Sequence, residues 1–107
     1  MRDTARMDTE ANSEANTGPR ITRHDDRGRY ELDIGGEVTS FAEVSRNGDM
    51  VTIPYIETAV RHRNRGYSSM LMDEVIDDLR GRGLRARATC PVARAHIATH
   101  AAELLVR

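Results

Sequence analysis

One short run narrows the folds open to this chain more than any other stretch. In Arg61-His62-Arg63-Asn64-Arg65-Gly66-Tyr67-Ser68, cationic residues lead to a glycine and then straight into an amphipathic segment. The first turn of a helix carries backbone N–H groups without intrahelical partners and the positive end of the macrodipole, so it suits phosphate oxygens. Arginines just upstream add long-range attraction and forked hydrogen-bond donors. Gly66 lets a ligand approach the backbone with no Cβ in the way, and Ser68 is small enough to keep the next step open. The run reads as a diphosphate cradle at the start of a helix.

The elements on either side follow from periodicity. Tyr30, Leu32 and Ile34 alternate with Arg29, Glu31 and Asp33, the period of a half-buried strand. Gly35-Gly36 is a two-residue hairpin signal. The second strand, about Glu37 to Arg46, has an ambiguous buried face, with Val38, Ser40, Ala42 and Val44 on one parity and Thr39, Phe41 and Glu43 on the other. Asn47-Gly48-Asp49 makes the next turn, and Met50 to Thr58 reads as a third strand built on Val51, Ile53, Tyr55 and Ile56. These three strands form an antiparallel meander. Pro54 sits in the middle of the third, where it cannot donate a ladder hydrogen bond. Two readings stay open there: an unpaired edge, or a bulge or parting of neighbouring strands.

After the cradle, Tyr67, Met70, Leu71, Val75, Ile76 and Leu79 recur at helical spacing, with Asp73, Glu74, Asp77 and Asp78 on the outer face. Gly81 and Gly83 suit the end of that helix. Arg85 to Cys90 alternates as a short fourth strand. A strand, a helix of this length and another strand make a right-handed crossover, so the third and fourth strands run parallel. Pro91 opens a last helix that extends towards Leu105.

Composition limits what is built around this frame. With 107 residues there is room for one core. Residues 1–19 have almost no large apolar side chains to offset the entropy of ordering them, which sets a disordered tail over 1–20 ahead of one domain over 21–107. The formal net charge is −1 with acids and bases interspersed, and aromatics are few, which argues against a nucleic-acid or membrane surface. All 16 basic residues are arginine, a bias given no mechanistic weight. A single cysteine rules out an internal disulfide. No stretch resembles a signal peptide or the ~20 apolar residues of a membrane helix, so a cytoplasmic protein is expected.

The order of three antiparallel strands, cradle, helix, parallel strand and helix, with Arg63-Asn64-Arg65-Gly66-Tyr67-Ser68 standing where the signature Q/R-x-x-G-x-G/A belongs, resembles the GCN5-related N-acetyltransferase superfamily. Cys90-Pro91 after the helix makes it similar to that superfamily's short, stand-alone branch. The resemblance covers roughly Arg29 to Val106. It implies a minimal α/β (α+β) acetyltransferase fold whose cofactor is acetyl-CoA or coenzyme A. The diphosphate would lie on Arg63, Arg65, Gly66, Tyr67, Ser68 and Ser69, and the pantetheine arm would slip between splayed parallel strands near Thr58. The implied reaction is acetyl transfer to an amine acceptor, with the protein supplying orientation, an oxyanion donor and a proton path.

The chain departs from close relatives where they often carry His and Thr before the third-strand acid and an aromatic after Cys-Pro; here Tyr55-Ile56-Glu57 and Val92 stand instead. No tyrosine follows Tyr67 to act as a late general acid. The candidates are Glu57, as base for the amine or a water holder, or else a solvent-facing strand acid, and Cys90, as proton donor or transient acyl carrier or a small core residue at a helix N-terminus. His96 and His100 are spaced i, i+4, but no second cysteine or nearby carboxylate completes a tetrahedral set, and no metal is expected. A second function class is a non-catalytic module that binds coenzyme A or another phosphate ligand, and a third is an interaction module with a degenerate pocket. The partners expected are a small-molecule cofactor and an amine, with no nucleic acid and no membrane. With few strands and exposed sheet edges, the chain is expected as a monomer or weak homodimer.

Overall fold

A computed structural model describes residues 18–106, in which β1 (Pro19–His24), β2 (Arg29–Ile34), β3 (Glu37–Asn47), β4 (Met50–Thr58) and β5 (Arg85–Ala88) form one sheet in sequential order. The first four strands are antiparallel and β5 joins β4 in parallel. Helix α1 (Tyr67–Gly81) makes the crossover between β4 and β5, and α2 (Pro91–His100) follows β5. Strand β1 adds a strand to the expected meander. Ile21 is the one apolar side chain among its six residues, too little alternation to mark a strand, and pairing along β2 supplies its order. Pro19 and Arg20 therefore belong to the sheet, while residues 1–17 of the expected tail lie outside the described residues.

The ambiguous face of β3 is settled by packing. Ser40 and Ala42 are buried, and Val44 packs on the core beside Tyr30 and Leu32 of β2, which puts Phe41 and Glu43 on the opposite, outer face. Both helices lie on the inner face and contact each other, so one core forms between sheet and helices. Leu71, Met72, Val75, Ile76 and Leu79 are the buried side chains of α1. Met72 fills the place expected of Met70, which is 42% exposed. Gly83, in the left-handed region at φ +68°, closes the helix end as Leu84 N–H reaches back to Leu79 O at 2.9 Å. Helix α2 stops at His100, short of Leu105. Leu104 turns into the core, and Leu105 bridges Ala86 of β5 while Val106 N–H donates to Ala86 O at 2.8 Å.

Pro54 marks a bulge on one side of β4 and a parting on the other. Tyr55 pairs with Glu43 and Thr52 with Ser45, so Ile53 and Pro54 together stand opposite Val44. A peptide's C=O and N–H point in opposite directions, so with Ile53 O turned to β5 the proline nitrogen faces β3, where the bulge asks no donor of it. On the β5 side, pairing ends at Ile53 opposite Ala88. Ile53 O then accepts both Thr89 N–H and Cys90 N–H at 3.2 Å, which is why β5 stops two residues short of Cys90. Beyond that carbonyl, the last residues of β4 have no strand on this side.

Asp78, expected on the solvent face of α1, instead ties the helix to the sheet. It accepts from Tyr30 Oη at 2.5 Å, from Arg82 Nη1 at 2.9 Å and from Arg23 Nη1 at 3.0 and 3.1 Å. Burial works against its charge, but the bonds from Tyr30, Arg82 and Arg23 outweigh burial and hold the carboxyl below the usual aspartate value. Burial, and then the bond to Asp78, pushes the Tyr30 phenol up. A carboxylate with a depressed folded-state pKa stabilises the protein fully above its unfolded value of about 3.9, and the contribution is lost as pH falls through the folded value. Asp78→Asn should cost about 2 kcal/mol at neutral pH and flatten the acid limb of stability against pH. Denaturant unfolding between acid and neutral pH checks this, and an unchanged acid limb would contradict the clamp.

Candidate functional site

Helix α1 begins with an open N-terminus. Gly66 is its N-cap, in the left-handed region at φ 81°, with no side-chain cap and no acidic residue in the first turn. The first intrahelical bond runs from Met70 N–H to Gly66 O at 3.0 Å, so the amides of Gly66, Tyr67, Ser68 and Ser69 have no partner within the helix. Asn64, at φ 64°, is the one non-glycine residue of positive φ among the described residues, and asparagine is among the few side chains that tolerate it. Nothing stands within 4 Å of where a Cβ on Gly66 would lie, so the backbone is open to approach on that side of the glycine.

The end of β4 is pinned opposite that helix start. Ala59 N–H donates to Thr39 O at 2.8 Å, and Ser40 Oγ bonds Glu57 O at 3.0 Å and Thr58 Oγ1 at 2.9 Å. Arg63, expected as a phosphate ligand, has Nε on Thr58 O at 3.0 Å, which leaves its two terminal nitrogens for other partners. Arg61 pairs with Glu37 and donates from Nε to His62 Nε2 at 3.2 Å. The His62 ring meets Tyr67 edge-on at 6.0 Å, and its Nδ1 is buried without a hydrogen-bond partner.

Between these two walls lies a cavity of about 390 Å³. One wall is β4 from Tyr55 to Thr58, the other is His62, Arg63 and Asn64 with Gly66, Tyr67 and Ser68, and Val92 of α2 closes one end. Ile56 and Thr58 face the inner side of the sheet, and the bulge at Pro54 turns Tyr55 and Glu57 outward, so the cavity wraps the edge of β4 that β5 has left. Tyr55 Oη donates to Glu57 Oε1 at 2.5 Å. That bond first, with burial and the charges of Glu57 and Glu43, raises the Tyr55 phenol above its ordinary pKa against an opposing Arg63.

The cavity thus gathers Glu57, Thr58, Arg63, Gly66, Tyr67 and Ser68 from the sequence candidates. Arg65 is exposed on the loop and does not line this cavity. Ser69 lies beyond Ser68, in a second cavity of about 400 Å³ between α1 and α2. Cys90 is the N-cap residue of α2, is 8% exposed within the core and lines neither of these two cavities. Sequence reasoning missed Tyr55 and His62 as wall residues. The signal for Tyr55 was its i, i+2 spacing to Glu57; His62 carried none beyond its place in the run. His96 is spoken for by Asp73, at 2.7 Å from Nε2 across the two helices, and its ring centroid lies 4.5 Å from that of His100 with the rings tilted by 43°. Among the described residues, no three His, Cys, Asp or Glu side chains gather as a metal site, and no helix is long and apolar enough to cross a membrane.

Comparison with known proteins adds the family. Residues 29–104 match the model of the GCN5-related N-acetyl-transferase family. Among solved structures, the chain is similar to the ribosomal-protein-S18-alanine N-acetyltransferase of Escherichia coli, at 22% identity and TM-score 0.57 over 87% of this chain and 59% of that one. A GCN5-like putative N-acetyltransferase from Staphylococcus aureus gives TM-score 0.59 at 12% identity over 86% and 90% of the two chains. The N-acetylglutamate synthase of Neisseria gonorrhoeae, complexed with coenzyme A and N-acetyl-glutamate, gives 0.52 at 20% over 64% and 19%. These likenesses show the fold, and the chain spans less than two thirds of the Escherichia coli and Neisseria proteins. No curated protein sequence matches it.

Gly66→Ala places a side chain in open space but in left-handed backbone. It should therefore cost about 1–2 kcal/mol of stability through strain alone. Denaturant unfolding of the variant measures this, and a midpoint equal to wild type would contradict the left-handed cap.

Proposed function

This chain belongs to the GCN5-related N-acetyltransferase family, and on that premise we propose that it transfers acetyl from acetyl-CoA to an amine at the cavity beside β4. The observation that carries the reading is the joining of two features in one cavity: an uncapped helix N-terminus and a strand edge freed where β5 parts at Ile53. The chemistry of this wall suits the coenzyme. The amides of Gly66 to Ser69, with Arg63 and Arg65 at hand, would hold the diphosphate. The free edge of β4 up to Thr58 offers backbone partners to the amide-bearing pantetheine arm.

The thioester supplies the acetyl group: the amine nitrogen bonds to its carbonyl carbon, the carbon–sulfur bond breaks, the amine gives up a proton and the sulfur gains one. Glu57 is assigned the proton from the amine, because the residue lines the cavity and its carboxylate is held by Tyr55 Oη. Tyr55 is a positioning residue in this scheme. Cys90, closed into the core at the α2 N-cap, is assigned packing and the closure of β5.

Thiol release from acetyl-CoA in the presence of a panel of amines tests the reading. Glu57→Gln should lower kcat about 100-fold with coenzyme affinity retained, as expected for loss of a general base. Cys90→Ala should keep kcat within about threefold, whereas loss on the scale of a removed nucleophile would restore the acyl-carrier role. Coenzyme binding without turnover of any amine would leave a binding module.

A further inference from the structure

His62 holds a polar atom that the free protein leaves unmet. Arg61 Nε–H donates to His62 Nε2 at 3.2 Å, so that nitrogen is an acceptor and the proton of the neutral ring sits on Nδ1. Nδ1 is the one buried side-chain nitrogen or oxygen among the described residues without a hydrogen-bond partner. A donor closed off from both water and an acceptor works against folding. The ring also meets Tyr67, the first residue of α1, edge-on at 6.0 Å, a contact that asks nothing of Nδ1.

Its position joins this atom to the ligand site. His62 lines the 390 Å³ cavity in the same wall as Arg63, Asn64, Gly66, Tyr67 and Ser68. That wall already carries the helix-start amides and the free terminal nitrogens of Arg63. None of its residues is acidic, so it offers donors and no carboxylate to take them. Nδ1 is closed off in the free protein, and a turn of the ring is needed to bring its N–H to the cavity. That turn gives up the bond from Arg61, which keeps Glu37 as its ion-pair partner.

We infer that His62 is a donor completed by the ligand: on coenzyme binding its ring turns into the cavity and Nδ1–H bonds a diphosphate oxygen beside the α1 amides. This rests on the acetyltransferase reading for the identity of the ligand. It adds a side chain whose unmet proton lowers the stability of the free protein and is satisfied in the complex. His62 takes no part in the bonds that change.

Two substitutions separate this role from packing. His62→Phe keeps a ring against Tyr67 and removes the donor, whereas His62→Asn gives up the ring and keeps an N–H close to the Nδ1 position. Acetyl-CoA affinity, measured by calorimetry, should fall about fivefold in His62→Phe, the scale of one net hydrogen bond, and stay within about twofold of wild type in His62→Asn. The reverse order makes His62 a packing residue and overturns the inference, and so does an equal effect of both. S-acetylpantetheine, which has no phosphate, should bind all three proteins alike. A His62→Phe penalty of the same size with that compound overturns the diphosphate as the acceptor.

A second readout needs no ligand. The urea midpoint of free His62→Phe should rise above that of wild type, because the substitution removes the unmet donor and keeps the ring. An equal or lower midpoint overturns the premise that the donor is unmet. Wild-type protein that binds no acetyl-CoA sinks the transferase reading and this ligand with it, while a raised midpoint would still uphold the unmet donor.

Discussion

Ile53 O is the last tie between β4 and β5, and the candidate site exists because nothing replaces it further along. That one carbonyl accepts two amides, from Thr89 and Cys90, as β5 gives way to α2. A further ladder bond would have sealed the edge of β4 and filled the space that opens beside Tyr55 to Thr58. Pro54 supports the same break from the other side. Its nitrogen cannot donate, the bulge against Val44 absorbs the missing bond, and the reversal of side-chain direction sends Glu57 to the outer face and Thr58 to the inner one. One irregular step in the backbone therefore both opens the cavity and decides which side chains enter it.

The second requirement is a helix aimed at that opening. The start of α1 has no side-chain cap of its own, so its position is set by packing along its length and by the clamp near its far end. Leu71, Met72, Val75, Ile76 and Leu79 fix the helix over β2, β3 and β4, and Asp78 ties its last turns to Tyr30 and Arg23. Burial of the five apolar side chains supplies the larger share of this, at about 1.5–3 kcal/mol each. Asp78 adds direction. With the C-terminal half held in this way, the unpaired amides at the N-terminal end can be left uncapped and facing the cavity, where a ligand can complete them.

Much of this was legible in the sequence because the relevant signals were local. The Arg61–Ser68 run, the period of α1, the alternation in β2 and the extent of β4 all depend on neighbouring residues, and each appears where its pattern places it. The features that escaped depend on distant partners. Strand β1 is made by its pairing with β2, and the choice of buried face in β3 is made by where α1 packs. Asp78 read as one more acid on a solvent face because Tyr30 and Arg23 lie 48 and 55 residues away in sequence. Pro54 announced an irregularity without saying which, since bulge and parting are settled by the register of two other strands. The spacing of Tyr55 and Glu57 was visible, but that both would stand in one wall with Tyr67 required the fold.

The central claim is that the α1 N-terminus and the freed edge of β4 bind one ligand together. Titration of isotope-labelled protein with acetyl-CoA, followed by backbone amide shifts, tests it most directly. The account predicts saturable shifts in Tyr67, Ser68 and Ser69 together with Tyr55 to Thr58, while the residues around Asp78 stay unmoved. Absence of shifts at millimolar ligand, or shifts confined to one wall and not the other, would contradict it.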